Sequence, residues 1–262
     1  LKSRLDSELV RRKIARSRDD ARELIESGSV LVNGIVATKV ATLVAENASI
    51  ALNGDREEYV SRGARKLVGA LDSFGISSFE GFRVLDAGAS TGGFTEVLLR
   101  RGASKVYAVD VGYGQLAWSL QSHPQVRVMD RTNVRDLTPE SVEGRVDVVV
   151  ADLSFISLTT VLPVLVSLTK EEGEMFLMVK PQFEVGREQL GSGGVVREPD
   201  LRAAAVRRVS EEAWKLGFGV KGIVASSLPG PAGNVEYFIW LRKRSEQLRE
   251  SDLARAIEEG PS

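Results

Sequence analysis

Between Arg83 and Gly102 the chain reads RVLDAGASTGGFTEVLLRRG, an order that few backbone arrangements can accommodate. Val84 and Leu85 mark a short buried strand ending at Asp86. Gly88, Gly92 and Gly93 then make a tight turn, and Phe94 opens a helix with Val97, Leu98 and Leu99 along one side. A strand, a glycine turn and a helix in succession form the unit from which parallel α/β sheets are built. Gly88 is expected to let a ligand approach the backbone where a Cβ would block it, and the helix start offers free N–H groups. A dinucleotide fingerprint places glycines at the first, third and sixth positions, but the third position from Gly88 is Ser90, which weakens a hydride-transfer reading. The apolar run Lys105 to Val109 predicts the neighbouring parallel strand. It ends at Asp110, about 20 residues beyond the loop, where an acid can accept both hydroxyls of a ribose. An adenosine-type ligand fits this pair of strand ends.

The D-x-G-x-x-x-G-G spacing followed by a strand-end acid resembles the S-adenosyl-L-methionine (SAM) site of Rossmann-like methyltransferases. That resemblance makes Asp86, Gly88, Ala89, Ser90, Thr91, Gly92, Gly93, Phe94, Thr95, Asp110 and Val111 the candidate cofactor contacts. The ordinary alternative is a glycine-rich turn of any α/β protein. A third strand, Val126 to Met129, leads to Asp130 and Asn133. Either side chain can reach an adenine amine from a strand end, and either can be a simple turn residue.

Other chemistries are excluded by what the chain lacks. It has no cysteine, so disulfides, thiolate zinc sites and a cysteine nucleophile are impossible. The single histidine, His123, sits between Ser122 and Pro124 in an expected surface turn. Neither a Ser-His-Asp triad nor a bound metal is expected. The longest uncharged segment, Leu153 to Thr169, includes Pro163 and reads as a helix buried against the sheet rather than a membrane span. No signal peptide is visible, and a cytoplasmic protein is expected.

The first residues have a different character. Leu5, Leu9, Val10 and Ile14 recur at helical spacing, and Ser17 with Asp20 predicts the start of a second helix that stops at Gly28. Asn33-Gly34 between two short apolar runs is a hairpin signal. Although the 262 residues carry a net charge of −1, Arg4, Arg11, Arg12, Lys13, Arg16, Arg18 and Arg22 crowd this region. Such a run is ordinarily a solvated helix face, and a phosphate backbone is its functional partner. The sequence RLDSELVRRKIARSRDDARELIESGSVLVNG resembles the S4 RNA-binding module over roughly residues 4 to 52. In that family the two helices present a basic face to structured RNA. The expected organisation is an S4-like domain at 1–54, a linker at 55–58 and a methyltransferase domain at 59–262.

Further on, Leu67, Ala70, Leu71 and Phe74 form a helical stripe that leaves Arg62, Arg65 and Lys66 facing elsewhere. Another helix is expected to begin at Gly112 to Leu116. The run Val146 to Ala151 delivers Asp152 to the carboxyl edge of the sheet. Glu174 to Val179 delivers Lys180, which Pro181 keeps extended. The segment 182–199, with Gly186, Gly191, Gly193, Gly194, Arg187 and Arg197, reads as a substrate-gripping flap. Two last strands, Val220 to Ala225 and Val235 to Leu241, follow, with Glu236 opening the second.

This succession resembles class I methyltransferases, which implies an α/β fold with a Rossmann-like seven-stranded sheet whose last strand is antiparallel. The contexts SRGARKL, VADLSFISL, VKPQFEVG and GNVEYF, with DAGASTGGFTEVLL and DVGYGQLAWSL, resemble the hemolysin-A-like TlyA family of rRNA methyltransferases from end to end. The resemblance implies SAM-dependent 2′-O-methylation of cytidine in 16S or 23S rRNA, or both. It also implies an FtsJ-type tetrad of Lys66, Asp152, Lys180 and Glu236. Lys180 would be the general base or orienting group, and Glu236 would order Lys66 or the ribose; Arg62 and Arg65 would join the RNA-binding set. Ribosomal RNA within ribosomal subunits is the expected partner, with no membrane, and a monomer is expected. For each tetrad residue singly, a surface salt bridge at a strand end is the ordinary alternative. For the whole chain the alternatives are a membrane-active hemolysin-like protein, an inactive rRNA-binding factor and a small-molecule methyltransferase.

Overall fold

A computed structural model describes residues 2–15, 17–26, 28–52, 59–230 and 232–260. Arg16, the expected linker 55–58 and the side chain of Arg187 lie outside the described part. The chain divides into two compact units, Leu1–Glu58 and Tyr59–Ser262.

In the first unit β1 (Lys2–Arg4) leads into α1 (Leu5–Arg11), followed by α2 (Arg18–Glu26), β2 (Val30–Val32), β3 (Ile35–Val36), β4 (Leu43–Ala45) and β5 (Ile50–Leu52). Leu5, Leu9, Ala21, Leu24, Ile25 and Val30 are fully buried between helices and strands. The first helix ends sooner than its apolar spacing implies. Lys13 takes a left-handed backbone at φ 59°, and the Ile14 amide turns back to the Leu9 carbonyl. Ser17 caps the second helix as expected, its Oγ accepting the Asp20 amide at 3.1 Å. Asn33 (φ 50°) and Gly34 (φ 81°) form the hairpin between β2 and β3. β5 pairs with the other edge of β2, and β1 pairs antiparallel with β4.

The second unit opens with α3 (Gly63–Ser73), β6 (Arg83–Ala87), α4 (Gly93–Arg100), β7 (Lys105–Val109), α5 (Trp118–Gln121) and β8 (Val126–Met129). It continues with β9 (Val146–Ala151), α6 (Leu158–Leu168), β10 (Thr169–Val179), α7 (Pro181–Glu184), α8 (Pro199–Lys215), β11 (Phe218–Ala225), β12 (Tyr237–Lys243) and α9 (Glu250–Glu258). The strands form one seven-stranded sheet in the order β11-β12-β10-β9-β6-β7-β8, with β12 antiparallel to both its neighbours.

Both faces of this sheet are covered, which is why its strands are near-continuous apolar runs. Successive residues of a strand point to opposite faces. Val84, Val148, Val150, Phe176, Met178, Phe238 and Trp240 pack toward α3 and α4. Leu85, Val149, Leu177, Tyr237 and Ile239 pack on the other side, against α6, α8 and α9.

Three departures from the sequence expectation bear on the site. The helix expected from Gly112 waits until Trp118, because the Asp110 and Asp130 carboxylates accept the amides of Gly112 (2.7 Å) and Gly114 (2.8 Å) and hold that stretch as a turn. β12 begins at Tyr237, leaving Glu236 just ahead of it. The segment 182–199 starts as the short helix α7 and is pinned further on by Asn234, whose Oδ1 accepts the Val196 amide at 2.9 Å and whose Nδ2 donates to the Gly194 carbonyl at 3.1 Å.

Candidate active site

Strand register assembles the site at the carboxyl rim of β6, β9 and β10. Ala87 is level with Ala151, Ala151 with Leu177, and Val179 with Tyr237. Lys180 and Glu236 therefore stand opposite one another, one step beyond the last pair. Asp86, Asp152, Lys180 and Glu236 continue the parity of Val84, Val150, Met178 and Phe238, so all four belong to the face that α3 covers. Lys66 arrives on that helix.

The four charges are matched in two pairs. Lys66 Nζ lies 2.5 Å from Glu236 Oε2, with the side chains 8% and 1% exposed. Lys180 Nζ lies 2.6 Å from Asp152 Oδ1, as an ion pair rather than an aligned hydrogen bond. Lys180 also donates to Ser154 Oγ at 3.0 Å. Neither pair is a surface salt bridge.

Asp86 lies completely buried. Thr95 Oγ1 donates to its Oδ2 at 2.6 Å, while Oδ1 has no partner among the described residues. Burial pushes its carboxyl up to about 7; Thr95 opposes the rise, and the Asp152 and Asp110 carboxylates add to it. Asp110 ties the glycine turn to the end of β7, its Oδ2 accepting the Ser90 amide at 2.8 Å. A carboxylate has lone pairs to spare beyond these two amides. Asn133 Oδ1 accepts the Arg135 amide at 3.0 Å, as a local cap.

The glycine turn serves packing as much as access. Gly88 has φ +89°, and a Cβ there would sit 2.5 Å from the Asp152 carbonyl oxygen. The expected clearance for a ligand is thus filled by the main chain that carries Asp152. Gly92 (φ +98°) would meet Leu120 and Leu116, and Gly93 would meet Ser61 and the Ala64 amide. Ala89 is buried against Leu116 and Leu120, and Phe94 packs on Phe238 with ring centroids 5.9 Å apart. Ser90, Thr91 and Val111 are exposed at the turn.

Sequence reasoning did not single out Ser154, Phe155, Phe183 or Glu184. Phe155 is 91% exposed at φ 65°, with its ring 5.2 Å from that of Phe183. Their motifs, DLSFIS and KPQFE, carried the signal; their contacts, made between distant segments, did not show in it.

The basic residues of the first unit divide. Arg12 is three-quarters buried: it pairs with Glu8 at 2.7 Å and donates to the carbonyls of Ala48 and Glu46. Arg11 also pairs with Glu8, and together the two guanidiniums hold that carboxyl well below the usual range. Arg4 pairs with Asp6 at 2.9 Å, and Arg18 donates to Ser7 Oγ at 3.1 Å. Lys13 and Arg22 are exposed, with no side-chain partner among the described residues. In the second unit Arg62 donates to the Pro229 carbonyl at 3.0 Å, and Arg65 has no partner among the described residues.

Comparison with known proteins places this geometry. The FtsJ-like methyltransferase family model matches residues 59–243, and the S4 domain model matches residues 3–50. The chain is 56% identical to the 16S/23S rRNA (cytidine-2′-O)-methyltransferase TlyA of Mycobacterium tuberculosis, across 99% of both chains. It is 34% identical to the 23S rRNA (cytidine-2′-O)-methyltransferase TlyA of Campylobacter jejuni, over 87% of this chain and 94% of the relative. A solved structure of a hemolysin candidate from Streptococcus thermophilus superposes with a TM-score of 0.76 at 37% identity, covering 98% of this chain and 96% of that one. Among the described residues no helix is long and apolar enough to cross a membrane.

Proposed function

The chain belongs to the TlyA family of FtsJ-like methyltransferases, and from that premise we propose that it transfers the methyl group of SAM to the ribose 2′-hydroxyl of cytidine in ribosomal RNA. The observation that carries the reading is the pair of Lys–carboxylate contacts at one rim of the sheet, Lys66–Glu236 buried and Lys180–Asp152 partly so. Two surface salt bridges would not require Lys66, Lys180 and Glu236 to give up water at adjoining strand ends, a cost that structure alone seldom justifies.

The residues present fit the cofactor. Asp86 backs the site with a buried, unpartnered oxygen, and Asp110 offers spare acceptor capacity for a ribose. Ser90, Thr91 and Val111 line the turn between them. When bound, SAM supplies a methyl group on a cationic sulfur, and its transfer forms the O–CH3 bond as the S–CH3 bond breaks and leaves its electron pair on sulfur.

The protein's own task is to aim the hydroxyl and relieve it of its proton, since an un-ionised ribose hydroxyl is a poor nucleophile. Lys180 is the group we assign to that proton, its amine taking it up once it has passed one of its own to the Asp152 carboxylate 2.6 Å away. Asp152 and Ser154 fix its amine from two directions, and Lys66, anchored by Glu236, holds the neighbouring side of the pocket for the ribose.

The S4 unit, taken as residues 1–54 and joined through 55–58 to the catalytic domain 59–262, docks the RNA. Lys13 and Arg22, exposed and with no side-chain partner among the described residues, are the cations we assign to it, and Arg65 is one we assign to the catalytic domain. The names of the two TlyA relatives favour 16S and 23S rRNA in one case and 23S rRNA in the other; the nearer identity of the first favours both. The same reading makes the protein a cytoplasmic monomer acting on ribosomal subunits. A membrane-lytic reading is disfavoured because α6, within the longest uncharged stretch, spends Leu158, Val161, Leu162, Leu165 and Leu168 on the sheet core.

The test is transfer of labelled methyl groups from SAM to purified small and large ribosomal subunits, with the modified positions mapped. Lys180→Ala should bind SAM normally and lose transfer. Turnover retained by that variant under single-turnover conditions removes Lys180 from the mechanism.

A further inference from the structure

The segment 152–157 after β9 and the segment 180–184 after β10 meet side by side. Toward solvent they touch through Lys180 with Asp152 and Ser154, and through the rings of Phe155 and Phe183. Ser154 and Phe155 are exposed, so these contacts by themselves leave the side chains room to move. Phe155 also holds a left-handed backbone at φ 65°. A residue with a Cβ adopts that conformation only where its surroundings impose it.

Glu184 ties the segment down two residues further on. It is 4% exposed; its Oε2 accepts the Ser157 hydroxyl at 2.5 Å, and its Oε1 accepts the Leu158 amide at 2.7 Å. Ser157 already caps α6 by accepting the Thr159 amide, so at the helix start Glu184 adds only the Leu158 amide. Glu184 is also held from behind. The Phe183 and Val185 amides close the turn back onto Lys180 and Pro181, and Arg208 of α8 donates to the Glu184 carbonyl at 2.9 Å. One helical turn thus connects the Glu184 carboxyl to the Lys180 amine.

We propose that Glu184 is a positioning residue for methyl transfer, clamping the Asp152–Phe155 loop against the Lys180 turn so that the amine, its two acceptors and the Phe155–Phe183 face keep one geometry. The role rests on the reading of Lys180 given above. What the clamp needs is the reach of two polar atoms. Burial raises the Glu184 carboxyl above its usual range, so a neutral group of the same length is not at a disadvantage there. Glutamine can accept the Leu158 amide and donate to Ser157 Oγ, which can turn its own hydrogen to Thr159 Oγ1. Aspartate keeps the charge but falls one methylene short.

The full-length variants Glu184→Gln, Glu184→Asp and Glu184→Ala are compared with the parent and with Lys180→Ala, each assayed on ribosomal subunits for kcat and KM and by calorimetry for SAM. Displacing a reacting group by about 1 Å costs up to about 100-fold. Glu184→Asp should therefore lose roughly 10- to 100-fold in kcat while KM and SAM affinity stay within about twofold, and Glu184→Gln should stay within about threefold of the parent. The Ala variant should resemble Asp; if it does not fold, the Asp and Gln variants carry the test alone. Full kcat in Glu184→Asp, or a Gln variant as impaired as Asp, overturns the clamp while loss of transfer in Lys180→Ala leaves the underlying mechanism standing. Retained transfer in Lys180→Ala overturns both.

Discussion

Asp86, next to last in β6, has no access to water, and one of its two oxygens has no partner among the described residues. With its folded value at about 7 against 3.8 for the free side chain, the native state holds a proton that the unfolded chain releases. The contribution to stability is therefore complete below about pH 4 and is lost as pH rises toward 7, at up to about 1.4 kcal/mol per pH unit. Asp86→Asn cannot ionise, so without ligand the difference in urea midpoint between it and the parent should move in favour of Asn from pH 5 to pH 8. Parallel stability curves for the two proteins would refute the buried charge. Its role in the site was legible only as a strand-end acid. That it is sealed under Thr95, and that Gly88 makes room for the Asp152 main chain rather than for a ligand, depends on strand neighbours 64 residues apart, as the Arg83–Asp147 contact one strand position from the other end shows.

The Lys66–Glu236 pair bonds α3 to the entrance of β12 across 170 residues of sequence. Both side chains are buried, so removing one partner leaves the other charged and dry. Lys66→Met should cost about 3–5 kcal/mol in denaturant unfolding. The double variant Lys66→Met with Glu236→Gln should recover most of that loss and still fail to methylate RNA. If the double variant is as unstable as the single one, the pair is not the tie between these elements. At this scale the pattern of apolar residues told most. Strands buried on both faces read as apolar runs, and Asp110, Asp152 and Lys180 stand at their tips because a charged residue ends such a run. Less was visible where a polar contact overrides periodicity. Asp110 and Asp130 delay the helix expected at Gly112, and Lys66, off the apolar stripe of α3, is buried only because Glu236 waits for it. The pairing of β1 with β4 escaped notice because three residues are too few to show an alternation.

A chain with 35 basic and 36 acidic residues has no overall charge with which to attract RNA, so affinity must come from local cations that nothing within the protein neutralises. The crowded N-terminal arginines are not equivalent in this respect. Arg12 spends its guanidinium on Glu8 and two carbonyls of the turn between β4 and β5, whereas Lys13 and Arg22 stand free among the described residues. Lys13→Gln and Arg22→Gln should each weaken binding to ribosomal subunits roughly 3- to 10-fold near physiological salt and lower the salt dependence by about one counterion. Both should raise KM for the subunit and leave kcat at saturation untouched, because neither residue belongs to the unit that carries Lys180. Arg12→Gln should behave differently, lowering the melting temperature of the first unit by leaving Glu8 short of a partner, with any loss of RNA binding following from unfolding. An Arg12 variant that stays folded and yet binds RNA as poorly as the Lys13 variant would show that the buried guanidinium is still a phosphate contact. The division between free cations and structural ones would then have to be redrawn.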